Sequence, residues 1–167
     1  TKLERDLCRD AVKLIYENLY TVYQDGSNLE GRQNMQLAAF YAGRAFSRGS
    51  VGYVHAIGHA LGGLYGTAHG LVMSILLPKV MKQYGSAAHQ RLAELYDACG
   101  MQTKARTIEE KADAFIGWME EMNEKMSIPA SLPQLEKDDI KEIAYRAYCE
   151  GNPLYPTPVT WSKDEFE

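Results

Sequence analysis

The sequence lacks paired cysteines, long apolar runs, a surplus of basic charge and any strand-like alternation. Its three cysteines, Cys8, Cys99 and Cys149, are widely spaced and form no CxxC pair. They predict free or buried thiols in a reducing compartment, and so a cytoplasmic protein. The most apolar stretch, Leu71 to Leu77, is far too short to span a bilayer, and no signal peptide is visible. A formal net charge of -4 argues against nucleic acid and membrane as partners, because both attract basic surfaces. No segment alternates polar and apolar residues long enough to build a sheet, and no internal repeat occurs. With neither a G-x-G-x-x-G nor a P-loop, a nucleotide-binding sheet is not expected.

What is present is helix. The 167 residues suffice for one domain with a real core. Leu3, Leu7, Ala11, Leu14, Ile15, Asn18, Leu19 and Val22 follow three-four spacing and predict a helix over 3–23. Asp25-Gly26-Ser27-Asn28 is turn chemistry. A second helix is expected over 29–47, with Met35, Ala38, Ala39, Ala42, Ala45 and Phe46 on one side, small enough for close helix approach. A third starts near Val51 and should stop near Leu61, because Gly62, Gly63 and Gly66 weaken helix. A fourth is expected over 69–84, with Pro78 kinking it or marking its start. Ser86 to Cys99 reads as a short helix ended by Gly100.

Thr107 and Glu110 form a capping box ahead of an apolar stripe of Ile108, Ala112, Phe115, Ile116, Met119, Met122 and Met126. The methionines read as core filler. A last helix spans 138–150, with Ile140, Ile143, Ala144 and Ala147 inward and Gly151 ending it. The proline-rich stretch 152–160 reads as an extended connector. The expected fold class is all-α, a bundle of six or seven helices. Ser162 to Glu165 is a second capping box close to the last residue, and the sequence opens at Thr1. Both features predict a longer natural polypeptide.

Three of the four histidines, His55, His59 and His69, fall within fifteen residues. Imidazole is a common metal ligand and the usual proton carrier near neutral pH. A lone histidine is most often a satisfied packing residue, but three at this spacing favour a site. His55 and His59 are four apart and share a helix face, and His69 can fold back across the glycines. By spacing alone the metal pair is His55 and His59, as in H-E-x-x-H helices. Ala56 stands where such a helix has its glutamate base, so the hydrolase pattern is incomplete. The remaining histidine, His89, has a surface-like context. Tyr53 and Tyr65 flank the histidines as pocket or interface residues.

The run from Gly52 to Gly70, followed by Ile75-Leu76-Leu77-Pro78, resembles the second signature of the iron-containing alcohol dehydrogenases. That family includes lactaldehyde reductases and butanol dehydrogenases. Asn18-Leu19, Arg32 to Met35, Ala42-Gly43 and Ala45-Phe46 resemble the segment preceding that signature. The resemblance covers nearly the whole chain. It implies NAD(P)-dependent hydride exchange with a small alcohol or aldehyde substrate. It implies a natural partner in an N-terminal nucleotide-binding domain, with residues 1–167 as a single helical domain lacking it.

By the same resemblance His55 and His69 are the metal ligands. His59 lies beside nicotinamide and substrate as the cofactor-contacting and proton-transferring residue. The metal is expected to be divalent iron, with zinc as the alternative. The family completes its site with an Asp and a His four apart on an earlier helix, a pattern this chain does not contain. The isolated chain is therefore expected to be inactive. Ala68 replaces a proline and Met73 an asparagine common in the family, which bears on substrate preference. A homo-oligomer is compatible with this reading. The other readings are a helical scaffold or interaction module without chemistry, and a metal-dependent hydrolase.

Overall fold

Helical periodicity organises the whole chain: the computed structural model, which describes residues 1–167, contains seven α-helices, two short 3-10 turns and no strand. No helix is long and apolar enough to cross a membrane. The residues fall into two compact units, one of residues 1–50 and 89–118, the other of residues 51–88 and 119–167.

In the first unit α1 (Lys2–Gln24) and α2 (Leu29–Gly49) pack as a hairpin. The intervening turn is built by side chains. Asp25 Oδ1 accepts from the Ser27 amide at 2.9 Å and its hydroxyl at 2.6 Å. Asn28 Oδ1 accepts from the Gly31 amide at 2.9 Å and caps α2. A Cβ on Gly31 would lie 2.6 Å from Val22 Cγ2, so glycine there permits the close approach. Ala11, Ala38 and Ala45 are buried. Leu3, Ala39 and Phe46, expected inward, are exposed. Leu3 lies in the first turn of α1, where a stripe has no further turn to pack beside it.

Helix α5 (Ser86–Ala98) begins at the junction of the units, and α6 (Ile108–Lys125) ends in the second. The box at the start of α6 forms as its sequence predicts. Thr107 Oγ1 accepts from the Glu110 amide at 3.1 Å. Glu110 Oε2 accepts from the amides of Thr107 at 3.0 Å and Arg106 at 2.7 Å. Ile108, the first residue of the helix, is 51% exposed and takes no part in the buried stripe, whereas Ala112, Phe115 and Ile116 are buried.

Thr107→Ala is expected to lower stability by about 1 kcal/mol in chemical denaturation, the usual cost of losing an N-cap. The two backbone donors hold the Glu110 carboxyl below its ordinary 4.5. Its contribution is therefore present above pH 4.5 and lost as pH falls through the lower folded value. Accordingly, the Tm advantage of wild type over Glu110→Gln should vanish on acidification within that range.

In the second unit α3 (Tyr53–Tyr65) packs against both α4 (His69–Tyr84) and α7 (Ile140–Gly151). Ala60, Leu61, Val72, Ile75, Leu132 and Ile143 form its core cluster. Helix α3 runs four residues beyond the expected stop, through Gly62 and Gly63. Packing of its last turn outweighs their weak helix preference: Leu61 is in the core, and the Tyr65 hydroxyl donates to Asp139 Oδ2 at 2.6 Å. The stop comes at Gly66, left-handed with φ +65°.

Pro78 sits inside α4, where it cannot donate to the carbonyl of Ser74. The Asn123 amide Nδ2 donates to that carbonyl instead, at 2.7 Å. Asn123→Leu strands a part-buried acceptor, and we expect it to cost about 1–3 kcal/mol, read as a lower urea midpoint at unchanged m-value. Met73 ends over Gly58, where any Cβ would meet its methyl group.

The segment after α7 folds back on α3. Tyr53 is fully buried. Its hydroxyl donates to Asn152 Oδ1 at 2.7 Å and accepts from the Trp161 amide at 3.2 Å. Its ring meets those of Trp161 and Phe166 at centroid separations of 4.9 and 4.7 Å. Gly151 was expected to end α7. It is the helix's last residue, and a Cβ there would lie 2.8 Å from the Tyr53 ring. Ser162 and Glu165 pair at 2.7 and 2.8 Å, but only the 3-10 turn Asp164–Phe166 follows.

Candidate functional site

His55 and His59 lie one turn apart on α3, and His69 is the first residue of α4. The left-handed Gly66 turns the chain between them. The connecting loop is pinned where Gln134 Nε2 donates to Thr67 Oγ1 at 2.6 Å. The three rings then form a nearly equilateral triangle. Centroid separations are 5.7 Å for His55 and His59, 5.4 Å for His55 and His69, and 5.6 Å for His59 and His69. The glycine break thus brings all three histidines together. His89 lies on α5 in the other unit.

The three differ in environment. His55 is half-buried, while His59 and His69 are exposed. Burial, then the neighbouring His59 and His69, pull the His55 pKa below 6.5, against an opposing effect of Glu150. His55 is therefore a neutral imidazole at pH 7, with a lone pair to donate.

A carboxylate joins them. Glu150 Oε1, near the end of α7, lies 2.7 Å from His59 Nδ1. The Tyr155 hydroxyl donates to the same oxygen at 2.7 Å. Burial and the Glu150 carboxylate push the Tyr155 pKa up to about 12, so the phenol remains a donor. Reasoning from sequence missed both residues. Glu150 and His59 are 91 positions apart, and no local pattern links them.

Tyr53 and Tyr65 serve packing and loop anchoring: one is in the aromatic core, the other holds Asp139 and accepts from the Glu136 amide at 3.1 Å. No group of three or more His, Cys, Asp or Glu side chains takes a metal-holding arrangement. What the chain assembles is two imidazoles side by side and a third tied to a carboxylate. Such a cluster can donate to a cation and exchange a proton.

Comparison with known proteins gives this cluster a context. A family model described as Fe-containing alcohol dehydrogenase family, C-terminal, matches residues 1–167. The chain is 34% identical over 144 residues to a 1,3-propanediol dehydrogenase of Citrobacter freundii, covering 85% of the chain and 37% of the relative. It is 32% identical over 158 residues to alcohol dehydrogenase 4 of Saccharomyces cerevisiae, covering 92% of the chain and 40% of the relative. Among solved structures, a 1,3-propanediol oxidoreductase matches with a TM-score of 0.93 at 28% identity, over 99% of the chain and 44% of its own length. An alcohol dehydrogenase from Oenococcus oeni matches at 0.90 with 32% identity, over 99% and 43%. The chain thus spans about two fifths of the length of these relatives.

Proposed function

Since the chain belongs to the Fe-containing alcohol dehydrogenase family as its C-terminal part, we propose that it is the metal-binding helical domain of an NAD(P)-dependent alcohol dehydrogenase. It would act as one domain beside an N-terminal nucleotide-binding domain, on a small alcohol or aldehyde. A cytoplasmic setting suits its three free thiols. The observation that carries the reading is the convergence of His55, His59 and His69 across the α3–α4 turn.

The donor set fits a divalent ion. Two imidazoles sharing one ion at about 2.1 Å, with a near-tetrahedral angle, have centroids roughly 5 Å apart. All three pairs, at 5.4 to 5.7 Å, come close to that span, and the family resemblance assigns the ion to His55 and His69. Divalent iron and zinc both accept imidazole, and iron is our assignment by family. When bound, the ion supplies Lewis acidity to a substrate oxygen. Two ligands make a half-site, so further donors belong to the rest of the natural protein.

The same resemblance assigns the proton to His59. It is exposed, touches both neighbours' rings and is held at Nδ1 by Glu150. In our reading its other nitrogen, Nε2, takes the alcohol proton during oxidation and returns it during reduction. Hydride exchange is the nicotinamide's own chemistry. This all-helical chain offers no glycine-rich strand-to-helix turn for a dinucleotide, and His59 is the one cofactor contact we assign.

A hydrolase reading requires a carboxylate beside His55 and His59, and Glu150 is such a group. Its Oε1, however, is engaged by His59 and Tyr155, which suits an orienting residue better than a base for water. The dehydrogenase reading is tested by NAD(P)-linked oxidation of 1,3-propanediol and butanol. The intact natural protein should turn them over and the isolated chain should not. His59→Ala in the intact protein should lower kcat by about 10²–10⁴. An intact protein that binds no metal and oxidises no alcohol would favour the scaffold alternative.

A further inference from the structure

Glu150 is held from several sides. It precedes Gly151, whose missing side chain lets α7 press on the fully buried Tyr53 ring. The Tyr155 amide donates to the Gly151 carbonyl at 3.0 Å, folding the following segment back over the helix end. From there the Tyr155 hydroxyl reaches Glu150 Oε1 at 2.7 Å. That oxygen is thus placed by the packing of α7 on α3 and by a second donor. It lies 2.7 Å from His59 Nδ1.

A neutral imidazole carries one N–H and one lone pair, and an ionised carboxylate only accepts. A contact this short between Nδ1 and a carboxylate oxygen requires the proton on Nδ1. The lone pair then lies on Nε2. Free imidazole side chains prefer the opposite tautomer, so the choice is imposed from outside the ring, as carboxylates do for histidines elsewhere.

We propose that Glu150, steadied by Tyr155, is the positioning residue of His59, fixing its Nδ1–H tautomer and ring orientation so that Nε2 faces the reaction as a proton acceptor. This rests on the reading of His59 as the proton-carrying residue. Tyr155 and Glu150 act through His59 and need not touch substrate.

The test is a two-bond ¹H–¹⁵N spectrum of the full chain with ¹⁵N-labelled histidine, recorded without added metal at a pH where His59 is neutral. Wild type should show His59 predominantly protonated at Nδ1. Glu150→Gln, whose amide oxygen still accepts, should keep that tautomer. Glu150→Ala should shift it predominantly to Nε2–H. A folded Glu150→Ala that retains Nδ1–H overturns the proposal. So does a wild type found as Nε2–H, which decides the matter even if the alanine variant fails to fold. The underlying reading fails differently: wild-type turnover in His59→Ala of the intact protein would remove the proton role whatever the tautomer.

Discussion

His69→Ala is expected to weaken divalent iron or zinc binding by more than about 100-fold, since even outer-shell partners of metal ligands cost about 10–100-fold. It should do so without lowering Tm. His69 is exposed and occupies the first position of α4, where alanine is fully compatible with helix. The separation of the two effects is the point of choosing it over His55, which is half-buried on α3 and contributes to packing as well. Anaerobic titration of the intact protein, wild type against variant, gives the affinity, and a thermal melt without metal gives the stability. Equal affinities would show that His69 holds no metal and would leave the ring triangle as packing. A loss of affinity in His59→Ala with none in His69→Ala would instead restore the spacing-based ligand pair of His55 and His59.

Tyr53→Ala should be the most destabilising single change in the second unit. Truncating a fully buried aromatic costs about 3–5 kcal/mol through lost burial and the cavity left behind. Tyr53 also joins α3 to the segment after α7 through Asn152 and the Trp161 amide. Tyr53→Phe keeps the ring stack but strands that donor and acceptor, at about 1–3 kcal/mol. Urea unfolding followed by tryptophan fluorescence orders the three proteins, with Trp161, in contact with the Tyr53 ring, as reporter. If the Phe variant is as stable as wild type, the Tyr53 hydroxyl is not holding the connector. Because Glu150 sits next to the Gly151–Tyr53 contact, the Ala variant should also loosen Glu150 from His59.

What the sequence determined by itself is local. Three-four spacing in α1, α2, α6 and α7 marks the helices, because a stripe repeated every turn has one face to bury. The Thr107–Glu110 box marks the start of α6, because the groups that satisfy a helix end lie within a turn of it. The histidine run was legible for the same reason: two positions on one helix face and a third after a glycine break. The family resemblance rested on more than that pattern, on the residues of the run Gly52 to Gly70 and its flanks.

Tertiary structure decided whatever depends on a distant neighbour. It kept Gly62 and Gly63 helical, because Leu61 and Tyr65 are anchored beyond the reach of propensity. It made Gly151 a contact surface for Tyr53 besides a helix end. It supplied Asn123 to a carbonyl that Pro78 cannot serve. It turned Ile108 and Phe46 outward, because a stripe records which face is apolar but not how far along the helix a partner extends. Above all it set Glu150 and Tyr155 against His59. Hydrogen bonds form between atoms near in space, and separation along the chain carries no record of them.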